Sequence, residues 1–211
     1  MKDLLTPYTA APFVPRSHSI KDLASAALDC RGCPLFVDTT QTVFGKGPVS
    51  APLILVGEQP GDVEDKRGVP FVGPAGAMLW RCIEDAGIDR NDVYATNAVK
   101  HFKHELRGKR RLHKKPDAAE IEACHPWIEA ELQTLQGRVV VALGATAARS
   151  LLGRTVPIAG SRGKPFEAAG RQVIVTYHPS AILRADERAL EVRTALVDDL
   201  KAAHQLSTAG E

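Results

Sequence analysis

The sequence predicts an α/β fold in three layers (α/β/α), with helices on both faces of a central four-stranded, mostly parallel sheet. Three observations predict it. Four short apolar runs rich in β-branched residues recur along the chain, at Pro52–Val56, Val93–Ala98, Val139–Leu143 and Gln172–Tyr177. Helical patterns alternate with them, the order that builds a parallel sheet through crossover connections. Most of the runs are apolar at nearly every position, as expected of strands covered on both faces.

In chain order, residues 1–18 read as an irregular arm and 19–206 as a single domain. Ser19 to Leu28 has helical spacing through Ile20, Leu23 and Ala27. Ala75 to Ala86 puts Met78, Leu79, Cys82, Ile83 and Ala86 on one stripe. Asp117 to Leu135 opens with Pro116 and an Asp-x-x-Glu capping signature, Asp117 and Glu120. It buries Ile121, Cys124, Ile128, Leu132 and Leu135 on one face. Ala145 to Leu152 stops at Gly153, and Glu187 to Gln205 forms the last amphipathic helix.

Composition narrows the class. The 211 residues, 44% hydrophobic and 25% charged, suffice for one real core and exclude a disordered or fibrous chain. The run Val139 to Leu143 is far too short to span a bilayer, and Met1 to Pro15 lacks the apolar stretch of a secretory signal. A monomer in the cytoplasm with no membrane partner is the expectation. In that compartment four cysteines serve as thiols, metal ligands or redox groups sooner than as structural disulfides.

Charge is unevenly placed. Between Lys100 and Lys115 lie Lys100, Lys103, Arg107, Lys109, Arg110, Arg111, Lys114 and Lys115 against Glu105 alone. That window carries +7 of a net +2, leaving the remainder at −5 (2 − 7). A cationic stripe on a mildly acidic body points to a localised polyanion contact.

In open parallel sheets the ligand site lies beyond the carboxyl ends of the strands. Here those ends lead into Gly57-Glu58-Gln59-Pro60-Gly61-Asp62, into Asn97 through His113, into Gly144-Ala145-Thr146 and into His178-Pro179-Ser180. These loops are expected to converge on one edge. Taken singly, each has a plain reading. Glu58 suits a held carboxylate or a solvated turn residue, Phe71 a stacking ring or core, and Lys109 to Arg111 a phosphate grip. Cys30-x-x-Cys33 suits zinc, a redox pair or an iron–sulfur site. A redox pair would follow a strand and open a helix, whereas this pair follows a helix and runs into Pro34.

Together, Gly57 to Gly61, the loop Pro70 to Gly76, Thr96-Asn97-Ala98-Val99-Lys100 and His178-Pro179-Ser180-Ala181-Ile182-Leu183-Arg184 resemble family four, the iron–sulfur branch of the uracil-DNA glycosylases. The resemblance runs from about Cys30 to about Leu200, with the motifs in order. Within that branch, Lys109-Arg110-Arg111-Leu112-His113 resembles the loop of the UdgX-type uracil-DNA cross-linking proteins. There, the histidine closing a Lys-Arg-Arg-x-His run becomes attached to the abasic sugar.

The resemblance implies a 4Fe–4S cluster held by Cys30, Cys33, His101 and Cys124. Cys124 sits in Glu120-x-x-x-Cys124-x-Pro126-Trp127, similar to the family's last ligand segment. His101 stands where family four has cysteine and UdgX has histidine, and Cys82 stays open as a substitute. The implied partner is uracil-containing DNA, with single strands favoured. Asn97 would read uracil through an amide that both donates and accepts. Phe71 would stack on the base, with Gly57, Gln59 and Asp62 completing its site and Arg184 positioning the His178 loop or a phosphate. His178 would donate to uracil O2, and Lys109, Arg110, Arg111, Lys114 and Ser180 would contact DNA. Glu58 would stabilise the cationic sugar, and His113 would attack C1′ in a single turnover. The alternatives are a multiple-turnover glycosylase and a non-catalytic uracil-DNA binding module. His18, His104, His125 and His204 are given no role.

Overall fold

The layers follow from which strand residues face which helices. The computed structural model describes residues 8–209, so the first seven positions of the expected arm lie outside it. Four strands, β1 (Leu53–Gly57), β2 (Val93–Asn97), β5 (Val139–Leu143) and β7 (Arg171–Thr176), run parallel. On one face Leu53, Leu55, Val93, Val139 and Val141 meet α3 (Pro74–Asp85) and α7 (Ala189–Thr208) through Leu79, Ile83, Leu196 and Leu200. On the other, Ile54, Val56, Val140 and Ala142 meet α4 (Ala118–Thr134) and α5 (Ala145–Leu152) through Ile128, Leu132 and Ala147. Leu55 is fully buried, so truncating it to alanine would cost about 2–5 kcal/mol.

The expected class is therefore found, with one correction. The sheet has five strands in the order β2-β1-β5-β7-β6, because β6 (Pro165–Ala168) joins the edge antiparallel to β7. Its turn, Ala169-Gly170, has positive φ at both residues (50° and 69°), the two-residue hairpin geometry. Alanine is a poor marker for that turn, which hides the hairpin in the sequence. A second, two-stranded sheet pairs β3 (His104–Arg107) with β4 (Arg110–His113) inside the stretch read as a basic loop. Short α2 (Asp62–Arg67) and α6 (Ile158–Ser161) were likewise not expected.

Helix starts follow their caps. Ser19 accepts from Asp22 N–H before α1 (Ile20–Ala27), and Asp117 and Glu120 form the reciprocal box before α4. A third core packs α1 onto α4, with Leu23 and Ala27 against Ile121 and Trp127. The described part of the arm is pinned there too, by Ala10 N–H to the Ala123 carbonyl at 2.7 Å. Among the described residues no helix is long and apolar enough to cross a membrane.

Candidate active site

Parallel register brings Gly57 and Asn97 side by side at the carboxyl ends of β1 and β2. Beyond them opens a cleft of about 740 Å³. Glu58, Gln59, Asp62, Phe71, Asn97, His113, His178, Ser180 and Arg184 all line it, joined by Lys115, Gly144 and Leu183. The four loops thus meet on one edge. Gly57 lies just behind. Lys109, Arg110, Arg111 and Lys114 do not line the cleft: Lys109 and Arg110 are exposed at the hairpin tip, and Lys114 pairs with Glu105 at 2.9 Å.

At one end sit the groups suited to a planar base. A Cβ at Gly57 would fall 2.3 Å from Asn97 Oδ1 and 2.6 Å from Phe71 Cζ, so glycine makes room for both side chains. Phe71 is held at φ 55°, a region that costs a non-glycine residue on the order of 1–3 kcal/mol and persists only when neighbours fix it. The Trp80 indole N–H does so, donating to the Phe71 carbonyl at 3.0 Å. Gly76 lets that carbonyl approach, since a Cβ there would lie 2.1 Å from it. Buried Glu64 accepts from the N–H groups of Gly61, Val72 and Gly73 at 3.1, 3.0 and 2.7 Å, tying the two loops together. Sequence reasoning missed Glu64 and Trp80. Glycine at the N-cap with Glu64 three residues on, the carboxylate half of a capping box, was a legible signal for the first.

Burial, aided by the charges of Arg184 and His113, pushes His178 down to about 4, so its imidazole is neutral. Ser180 N–H donates to His178 Nδ1 at 3.2 Å, with Ser180 Oγ at 2.8 Å. An accepting Nδ1 leaves the proton on Nε2. His178 is therefore a neutral donor. Across the site, Glu58 Oε2 accepts a short hydrogen bond from Thr146 Oγ1, and Glu58 Oε1 stands 3.5 Å from His113 Nε2.

The hairpin that presents His113 is clamped at its base. The Gln59 amide donates to the carbonyls of Lys103 and Lys114 at 3.1 and 3.0 Å and accepts from Lys103 N–H at 3.0 Å. Its side chain is thereby engaged with the hairpin, where a uracil contact was expected. Arg111 likewise turns inward: it binds Asp62 at 2.6 Å and Asp65 at 2.7 Å, with its guanidinium 5.5 Å from the Phe102 ring centre. Lys66 and Arg111 hold Asp62 below the usual carboxylate range. Arg111 and Asp62 thus anchor the hairpin, whereas a phosphate contact and a base contact were the expectations.

Behind the cleft Cys30, Cys33, His101 and Cys124 are all buried. Trp127 Nε1–H donates to Cys30 Sγ, and Lys100 N–H to Cys124 Sγ, both at 3.3 Å. Burial pushes Cys33 up to about 11 and Cys124 to about 12, with neighbouring sulfurs adding to both. Burial also lowers His101 to about 4, leaving the neutral imidazole that binds metals. Among the described residues no three His, Cys, Asp or Glu side chains converge on one ion. An iron–sulfur cluster distributes its ligands over several irons, and N–H donors to the sulfurs suit its charge. The donor set fits a cluster. Cys82 instead packs among Leu79 and Ile83 against α7, and the charges it feels are those of Arg193 and Asp85.

Residues 44–201 match the family model described as the uracil DNA glycosylase superfamily. A Type-4 uracil-DNA glycosylase of Thermotoga maritima is 38% identical over 190 residues, covering 89% of this chain and 94% of that protein. A Type-4 enzyme of Pyrobaculum aerophilum is 37% identical over 164 residues, 74% of this chain and 80% of its own. A Type-5 uracil-DNA glycosylase of the same organism is 29% identical over 195 residues, with coverage of 76% and 82%.

Proposed function

Because the chain belongs to the uracil-DNA glycosylase superfamily, we propose that it excises uracil from DNA and then captures the abasic sugar through His113, once per molecule. One observation carries the capture step: His113 Nε2 lies 3.5 Å from Glu58 Oε1 in the cleft that Asn97, Phe71 and His178 also line.

Uracil must leave the base stack to enter such a cleft, at a cost of roughly a few kcal/mol that single-stranded DNA largely avoids. Exposed Lys109 and Arg110 offer phosphate contacts that offset it. Asn97 and Phe71 hold the base. As the N1–C1′ bond breaks, its electron pair leaves with uracil, and His178 Nε2–H stabilises the charge at O2. The Glu58 carboxylate faces the cationic sugar. The Nε2 lone pair of His113 then bonds to C1′, and the resulting imidazolium gives its Nδ1 proton to solvent. A positioned side chain reaches an effective concentration of about 10⁵ M or more, against roughly 55 M for water. Cys30, Cys33, His101 and Cys124 would hold a 4Fe–4S cluster, which supplies a structural tie between the Cys30 segment, the end of β2 and α4.

The Type-4 names of the relatives favour a second reading, in which water quenches the sugar and the protein turns over. A denaturing gel separates the two. Capture predicts an SDS-resistant adduct that requires uracil and disappears in His113→Ala. Free abasic product at many turnovers per protein would support hydrolysis.

A further inference from the structure

Beneath the cleft lies a buried charge that excision and capture leave without a task. Lys100 has a side chain 1% exposed, and its ammonium donates to Thr96 Oγ1 at 2.7 Å, to the Asn97 main-chain oxygen at 2.9 Å and to Glu131 Oε2. Glu131, on α4 and fully buried, also accepts from Tyr94 Oη at 2.8 Å, Thr96 Oγ1 at 3.0 Å and Gly45 N–H at 3.2 Å. The Phe44 ring covers the ammonium at 5.1 Å. Replacing a buried ion pair by apolar groups is often neutral or stabilising, so stability alone does not account for it.

What the pair holds is the turn leaving β2. Ala98 N–H donates to the Gly57 carbonyl at 2.9 Å, Val99 N–H to the Glu58 carbonyl at 3.0 Å, and Lys100 N–H to Cys124 Sγ at 3.3 Å. The turn thereby links the Asn97 amide, the backbone of Glu58 and α4. The Lys100 ammonium closes it by reaching back to the Asn97 carbonyl. A shift of the Asn97 main chain would carry its side chain out of the space that Gly57 leaves open and lose its donor–acceptor match to uracil. We infer that Lys100 and Glu131 are positioning residues for base recognition, fixing Asn97 through its main-chain oxygen. The inference rests on the reading of Asn97 as the residue that meets uracil.

The test measures single-turnover excision over a range of protein concentrations, giving a half-saturating concentration and a maximal rate. Lys100→Met with Glu131→Gln removes both charges together, so neither is left buried alone. The double variant is expected to keep its melting temperature within a few degrees and its absorbance near ~400 nm, the general signature of an iron–sulfur protein. Its half-saturating concentration should rise about 10-fold, the change one weakened hydrogen bond at a charged group produces, with the maximal rate less affected. Preference for uracil over cytosine in competition binding should fall in parallel. Thr96→Val, a gentler change, should give a rise of a few fold and decides the matter should the double variant not fold. Either variant, folded and matching wild type in half-saturation and base preference, overturns the inference. A wild-type protein with no preference for uracil-containing DNA would instead sink the functional reading beneath it.

Discussion

The turn that carries Asn97 and the hairpin that carries His113 both leave the end of β2, yet they are held by opposite means. Asn97 rests on a buried network in which Lys100, Glu131, Tyr94 and Thr96 satisfy one another. The His113 side chain is 49% exposed, and the residue ends a four-residue strand that, among the described residues, pairs with β3 alone. Its hairpin is moored by the Gln59 amide and by Arg111 on Asp62 and Asp65, at the molecule's edge. Reading a base demands a fixed pattern of donors and acceptors, which a buried network provides because every member is satisfied or costly. Capture demands a group that reaches C1′ only after uracil has left, and surface-moored segments move on the ns–μs scale.

Substitutions on each side sharpen that division, from the largest effect to the smallest. Glu58→Gln should lower single-turnover excision by about 10²–10⁴-fold, because it removes the anion facing the cationic sugar, whichever nucleophile follows. His178→Ala should cost about 10²–10³-fold in the maximal rate, the loss of one donor at developing charge. Arg111→Gln frees the hairpin without touching Asn97, so adduct formation should fall by up to about 10²-fold while uracil release persists. Equal loss of both would show that reading and capture are one mechanical unit. Trp80→Phe removes the N–H that holds the Phe71 carbonyl, and about 1 kcal/mol, roughly fivefold, should appear in half-saturation by uracil-containing DNA.

A last prediction concerns stability and pH, apart from the rates. His178 has its folded value lowered to about 4 from 6.5, so below the unfolded value the unfolded chain binds a proton that the folded state refuses. Stability should therefore fall as pH drops from about 6.5 toward about 4, and less steeply in His178→Asn. Melting curves across that window check it.

The α/β class, the four parallel strands and the convergence of their loops were legible in the sequence, because each rests on local periodicity. Asp117 and Glu120 announced the start of α4 in the same way. The hairpin β3–β4 was not, since Arg107, Lys109, Arg110 and Arg111 show no alternation of apolar residues to mark a strand. The inward turn of Arg111 was hidden for another reason: its acidic partners lie 49 and 46 residues earlier, beyond any local pattern. Lys100 was counted with the surface cations for the same cause, as Glu131 is one turn from the far end of α4.

Intact-protein mass after mixing with a uracil-containing oligonucleotide tests the central claim most directly. Capture predicts a single species heavier than the protein by the oligonucleotide less uracil, with the bond mapping to His113 after digestion. Unmodified protein beside oligonucleotide that has lost its uracil would contradict it.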